Sequence, residues 1–407
     1  MSVGSRTGSL ESLRIGNRMR VIDVLRRRGS VSRAQIARDA GLSRTTVGSL
    51  VSALIADGFV TERETDDGPR GPAGGRPGVL VALDRSAGAL VGIDFGHRHV
   101  RVAISDLAYE ILAERFVRHE VDHAGVAGLD LAASLVAELL EESGVDGERV
   151  LAAGMGLSAP IERPGGVVRS NQILPSLNDL DAGTAMEERL GIPVHLDNDA
   201  NVGALGEATF GAGAGYDVMA YLRMSDGIGR GLVLGGRPFR GARGFAGEIG
   251  HVLVDPDGQI CRCGNRGCLE TLVASQRVVE LLERSLGPLT VPAMLELAAE
   301  GDAGARRALQ DAGRVVGQAT AAMCNYLNCD VVVVGGDLAP AGELLLEPMR
   351  EAVERFAIPA AAQSVRIVGG VLGERAEVMG ALALAGHEAH EPLAHLTSQV
   401  QPNRRSS

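Results

Sequence analysis

At 407 residues and 45% hydrophobic content, the chain has material for two or three packed units, which excludes a disordered protein. No apolar run reaches the roughly 20 residues needed to span a bilayer, and the opening MSVGSRTGSLESLR lacks a secretion signal's apolar stretch, so a cytoplasmic protein with no membrane partner is expected. The net charge of −11 is unevenly spread: residues 1–80 hold 13 Arg against 8 acidic residues, so nucleic-acid contact belongs to the first fifth of an otherwise acidic chain. None of the 40 basic residues is Lys, and Ala and Gly abound, which fits a GC-rich bacterial genome better than an adaptation.

In chain order, residues 17–28 set Met19, Ile22 and Leu25 on one helical face, with Gly29 as the stop. Ser32 is placed to cap a short helix holding Ile36 and Ala37, ended by Ala40-Gly41-Leu42. Ser43 is placed to cap a longer one, in which Val47, Leu50, Val51, Leu54 and Ile55 form a single apolar stripe. Its opposite face carries small or basic residues able to approach a groove without electrostatic penalty. FVTER, the Gly/Pro-rich DDGPRGPAGGRPG and VLVAL then fit a hairpin wing over residues 59–83.

The pattern reads as a winged helix-turn-helix, although three small helices can also make a protein-interaction domain. On the DNA reading, Ser43, Arg44, Thr45 and Ser49 approach the bases and phosphates of a double-stranded operator, and Arg76 at the wing tip reaches toward a minor groove. Two such helices must enter successive major grooves about 34 Å apart, so a homodimer, or a dimer of dimers, is expected. The resulting domains are 1–64 for the helix-turn-helix, 65–84 for wing and linker, 85–386 for the main body and 387–407 for a flexible tail; when bound to its operator the protein is expected on the nucleoid.

From residue 90 the pattern turns α/β. ALVGIDFG, VRVAISDL and EILAERFVRH read as a three-strand meander, followed by a helix at 128–142 and a strand at VLAAGMGLS. A similar alternation recurs from DVMAYLRM through GLVLGG. A helical stretch spans roughly 273–328, CDVVVVGGDL is a buried strand, and AEVMGALALAG is a closing helix.

The sharpest chemical signal is His251, Cys261, Cys263 and Cys268, spaced H-x9-C-x-C-x4-C. Three thiolates and one imidazole fill a tetrahedral Zn2+ shell with no open position, so a structural rather than catalytic metal is expected. Gly264 and Gly267 let the loop turn tightly enough for the thiols to converge. Three Cys within eight residues, among an odd total of five, favour a metal site in a reducing compartment over disulfides; Cys324 and Cys329 read as core residues.

With GIDFG, LDNDAN at 196–201, GIGRGLVLGG at 227–236, the GEIGH-to-GCLE segment and VVVVGGDL at 331–338, residues 90–386 resemble the repressor, open reading frame, kinase (ROK) family. Residues 1–83 resemble the winged helix-turn-helix of its repressor branch. The resemblance implies an actin-like, hexokinase-like two-lobed ATPase-type fold with a sugar in the interlobe cleft and the zinc cluster shaping the loop that holds it. It further implies that Asn171, Asn198, Asp199, Glu248, His251 and Glu270 line that cleft, where carboxylates and amides satisfy sugar hydroxyls bidentately. His251 would then be both metal ligand and cleft wall.

In the family's kinases the position of Asp199 is the general base, yet two departures argue against catalysis here. The kinases' DxGGT turn reads Asp94-Phe95-Gly96-His97-Arg98, and their GTGIG turn reads Ser225-Asp226-Gly227-Ile228-Gly229, with a carboxylate facing the phosphoryl position. The chain is therefore expected to be a sugar-responsive regulator, a repressor of carbohydrate metabolism, with no catalytic residue. The rival readings are an ATP-dependent, glucokinase-like sugar kinase carrying a DNA-binding domain, and a DNA-binding protein whose second part serves only to dimerise.

Overall fold

Ser32 and Ser43 do locally what their places ahead of two helical stretches demand. In the computed structural model, which describes residues 5–64, 79–169 and 172–388, the Ser32 hydroxyl accepts from the Gln35 amide at 3.2 Å and the Ser43 hydroxyl from the Thr46 amide at 3.1 Å. These caps start α2 (Arg33–Ala40) and α3 (Arg44–Ala56), and Gly41 closes α2 in the left-handed region at φ 63. The preceding α1 (Ser5–Arg28) begins well ahead of residue 17, because no proline interrupts the segment. Its Ile22 and Leu25 pack on Ile36, Val47 and Leu54 in one core.

Strands β1 (Val31–Ser32), β2 (Val60–Glu64) and β3 (Val79–Leu83) form a small antiparallel sheet with β3 in the middle. β3 thus ties the segment assigned to wing and linker back onto the helices. The wing tip with Arg76, Asn171, and the chain after residue 388 lie outside the described residues.

Lobe one comprises β4 (Ala89–Phe95), β5 (His99–Asp106), β6 (Ile111–Arg118), α4 (Val121–Ser143), β7 (Val150–Leu157), the hairpin β8 (Ile161–Glu162) and β9 (Val167–Val168), α5 (Ala182–Leu190) and β10 (Val194–Asn198). Its sheet runs β6-β5-β4-β7-β10, an antiparallel meander extended by two parallel strands. α4 starts seven residues before the expected 128, across a kink at Ala124. By length and composition it is apolar enough to cross a membrane, but it buries Leu129, Leu135 and Leu139 against this sheet.

Lobe two comprises α6 (Asp199–Phe210), β11 (Val218–Met224), β12 (Ile228–Leu234), β13 (Arg237–Pro238), α7 (Glu270–Val273), α8 (Ser275–Leu286), α9 (Val291–Glu300), α10 (Ala303–Leu327), β14 (Val331–Gly335), α11 (Glu343–Phe356), α12 (Pro359–Ser364) and β15 (Arg366–Gly369). Its sheet order, β13-β12-β11-β14-β15, repeats that of lobe one strand for strand. The single helical stretch expected over 273–328 is instead four helices, broken by extended Ala274 and by Gly287 and Gly301 at φ 75 and 101.

The last helix, α13 (Ala376–Glu388), returns to lobe one against β4 and β7, and runs two residues past the expected end at 386. α6 lies on β11 and β12 of lobe two. The two helices meet backbone to backbone: a Cβ on Gly380 would stand 1.6 Å from the Val202 carbonyl, and one on Gly206 2.4 Å from that of Ala376. This glycine-lined contact is where the lobes join.

Candidate functional site

The cleft between the lobes is floored by the start of α6. Asn198, Asp199, Glu248, His251 and Glu270 all line it. Asn198 caps α6, its amide oxygen accepting from the Ala200 N–H at 2.9 Å while its NH2 donates to the Ala159 carbonyl at 3.2 Å. The Asp199 carboxylate accepts from the Ser158 hydroxyl at 2.6 Å and lies 3.3 Å from the Arg223 guanidinium.

Arg223 comes from lobe two and reaches Glu377 of α13 at 3.0 Å, where Tyr221 also donates at 3.2 Å. Burial, against the pull of Arg223, pushes the Glu377 carboxyl up to about 7, with Asp94 and Asp199 adding to the rise. His99 donates to Asp94 at 2.8 Å; burial disfavours its charged form, yet Asp94 holds it above the usual imidazole range. The lobes are therefore joined beneath the cleft by a buried charge network as well as by α6 and α13.

On the lobe-two wall, Glu270 accepts from Arg262 at 2.7 Å and from the Ile228 amide at 3.3 Å. Arg262 also donates to the Asp226 carbonyl at 3.0 Å, fixing the β11–β12 turn to the Cys-containing loop. Desolvation in the cleft, then the carboxylates of Asp199 and Glu270, push Glu248 up to about 7 against Arg230. Some 40% of its side chain stays open to solvent, so it is a rim group rather than a core one.

His251, Cys261, Cys263 and Cys268 converge in this loop, with their ligand atoms all within 4.8 Å of one another. His251 Nδ1 faces the Cys261 sulfur at 3.6 Å, and the Cys263 and Cys268 sulfurs lie 3.7 Å apart. Three sulfurs and one imidazole nitrogen at that spacing can hold a metal ion. The other imidazole nitrogen, Nε2, lies 3.8 Å from Glu248, so the ring faces both the cluster and the cleft wall. Cys324 and Cys329 are buried core residues.

At the mouth, His97 occupies the turn after β4, with its Nδ1 2.6 Å from Asp122 and its ring against the cleft. Next to it, Arg98 crosses to lobe two and donates to Asp226 at 3.0 Å. Sequence reasoning identified these residues only as departures from a phosphate loop. It missed Ser158, Arg223 and Arg262 altogether. A charge inside the apolar strand DVMAYLRM was the available signal for Arg223.

In the amino-terminal module, Ser43, Arg44, Thr45 and Ser49 are exposed together at the start of α3. The Ser43 hydroxyl is engaged in capping and also sits 2.8 Å from the Thr45 hydroxyl. Part of the local positive charge is neutralised internally: Arg18 pairs with Asp57 at 2.6 Å, Arg28 with Asp39 at 3.3 Å and Arg33 with Glu62 at 2.6 Å.

Residues 90–388 match the model of the ROK family and residues 17–64 that of the IclR helix-turn-helix domain. A putative xylose repressor of Caldicellulosiruptor sp. (strain Rt8B.4) is 30% identical over 90% of this chain and 94% of its own length. The glucokinase of Thermotoga maritima is 32% identical, over 72% of this chain and 96% of its own. Among solved structures, a ROK family transcriptional regulator described as a homolog of the E. coli MLC protein superposes with a TM-score of 0.79 at 25% identity, covering 95% of this chain and 98% of that one. The kinase-like likeness stops short of the amino end, whereas the regulators match it too: the chain belongs to the ROK family and carries an IclR-type helix-turn-helix domain at its amino terminus.

Proposed function

We propose that this protein is a sugar-responsive transcriptional regulator, a repressor of carbohydrate metabolism, whose kinase-like lobes bind a sugar without phosphorylating it. The observation that carries the reading is the pairing, in one chain, of an exposed helix-turn-helix face with a cleft walled by Asn198, Asp199, Glu248, His251 and Glu270. Carboxylates and amides converging in a concave site suit the alternating donors and acceptors of a sugar ring. Asn171 belongs to the same proposed set. On the DNA side, Ser43, Arg44, Thr45 and Ser49 contact the operator, with Arg76 in the wing, and a homodimer places two such faces on a pseudo-palindrome.

Zn2+ is the metal that best suits the donor set, held by His251, Cys261, Cys263 and Cys268 in a closed, structural shell. When bound it supplies no reaction chemistry; it fixes the loop that presents His251 and Glu270 to the sugar.

Against phosphoryl transfer stand the two turns at the cleft mouth. Transfer depends on backbone N–H groups and cations positioned on phosphate oxygens. Here His97 fills one turn, and the Arg98–Asp226 ion pair occupies the space between the two. Asp199, in the position of the kinase base, is already engaged by Ser158 and Arg223. Purified protein with ATP, magnesium and xylose or glucose should release no ADP; turnover at the roughly 1–100 s⁻¹ of ordinary kinases would establish the rival, enzymatic reading. The central test is fluorescence polarisation of DNA from upstream of the protein's own gene, titrated with and without those sugars. A sugar-dependent shift in affinity is expected, and specific DNA binding that no sugar alters would defeat the regulator reading.

A further inference from the structure

Helix α6 begins at the cleft with Asn198 as its cap and Asp199 as its first residue, and ends at Phe210. At about 1.5 Å per residue, its 12 residues span roughly 18 Å. Phe210 meets the ring of Tyr109 edge-on, centroid to centroid 5.0 Å. Tyr109 sits in the β5–β6 turn, and the guanidinium of Arg26, from α1 of the DNA-binding module, lies 4.4 Å above its ring. Arg26 also donates from Nε to the Leu107 carbonyl at 2.9 Å, in that same turn.

We propose that the Tyr109 turn is the joint through which the DNA-binding module reads closure of the cleft, with α6 as the rod and Arg26 as the receiving side chain. The proposal rests on the regulator reading above and adds the route by which the sugar site acts on DNA.

Three further observations bear on it. Tyr109 is held at φ 65, a conformation rare for a bulky side chain, and Asp106 braces the turn by accepting from the amides of Ala108 and Glu110 at 2.8 and 2.9 Å. The Tyr109 hydroxyl is buried with no hydrogen-bond partner among the described residues, so its ring is placed by packing and by Arg26 rather than by a hydrogen bond of its own. A Cβ on Gly386 of α13 would stand 2.2 Å from that hydroxyl, so the ring has no slack on that side. α6 packs on the sheet of lobe two along one side and on α13 along the other, whereas Tyr109 belongs to lobe one. Any movement of one lobe on the other displaces Phe210 against Tyr109, and the displaced ring carries its load onto Arg26. The core of the DNA-binding module is continuous with lobe one around this turn, so α1 has no loose linker there to absorb the shift.

The test uses the full-length dimer and measures DNA affinity with and without saturating xylose or glucose, whichever shifts the wild type. Arg26→Met and Phe210→Leu cut the joint from opposite sides while keeping apolar bulk. Each is expected to bring the sugar-induced change in DNA affinity at least about fivefold closer to unity, with sugar affinity in the absence of DNA within about threefold of wild type. Folded variants that keep the full sugar response overturn the proposal, whereas a wild type with no sugar response defeats the regulator reading instead. Hydrogen exchange of the wild type serves if a variant does not fold. Sugar should alter protection of amides 22–28 and 106–110, and unchanged protection there rejects the joint.

Discussion

In lobe one the turn from β4 to β5 runs Gly96-His97-Arg98; in lobe two the turn from β11 to β12 runs Ser225-Asp226-Gly227. The two occupy equivalent places in sheets of identical strand order, and they face each other across the cleft. Among the described residues, the strands that lobe one adds to this plan are the short β8–β9 hairpin. Lobe two adds the Cys-rich loop between β13 and α7, which brings Glu248 and His251 to the cleft and leads into Glu270 at the start of α7. The repeated sheet is scaffold; the chemistry sits in turns and insertions that scaffold order leaves free to diverge.

If lobe two owes its grip to the metal loop, Cys263→Ser should lower zinc content and sugar affinity together, the latter by about 10–100-fold, as read by metal analysis and calorimetry. Full sugar affinity in zinc-free protein would separate the loop from the site. At the DNA face, Arg44→Ala is expected to weaken operator binding by about tenfold and lessen its salt dependence by about one ion, with sugar affinity in the absence of DNA unchanged. An altered sugar affinity with normal DNA binding would contradict the division of labour.

The buried network between the lobes should show itself in pH. Glu377 has a folded pKa of about 7, above its ordinary value of 4.5, so the native state holds a proton that the unfolded chain releases. Its stabilisation is complete below pH 4.5 and is lost as the pH rises through about 7. Glu377→Gln should flatten that decline in melting temperature, and an unchanged slope would assign the pH dependence elsewhere. The smallest effect is expected at the mouth. Arg98 is 58% exposed and Asp226 29%, so the pair is screened, and Arg98→Ala should change sugar affinity by less than about fivefold.

Local chemistry was legible in the sequence and long-range chemistry was not. The capping serines, the apolar stripe of α3 and the convergence of four metal-ligating side chains depend on spacing within a few turns of chain, which a linear reading captures. α11 went unassigned although Leu345, Leu346, Met349 and Val353 form its buried face, because Pro348 inside it argues against a helix. The breaks at Ala274, Gly287 and Gly301 were smoothed over because helical periodicity continues on either side of each. Arg223 could be seen as an oddity within a strand. Its partners Asp199 and Glu377 stand 24 and 154 residues away, and only folding brings them together.

The glycine seam between α6 and α13 has a mechanical consequence. Helices that pack through interdigitated side chains resist translation, since every step lifts a ridge out of its groove. At Gly206 and Gly380 there are no ridges, so the two backbones approach directly, while Val202 and Leu205 of α6 pack with Ala383 and Leu384 of α13 beside them. The spacing of the two lobes is thus set by atoms that are missing: a single methyl group at position 380 would stand 1.6 Å from the Val202 carbonyl and force the two helices apart.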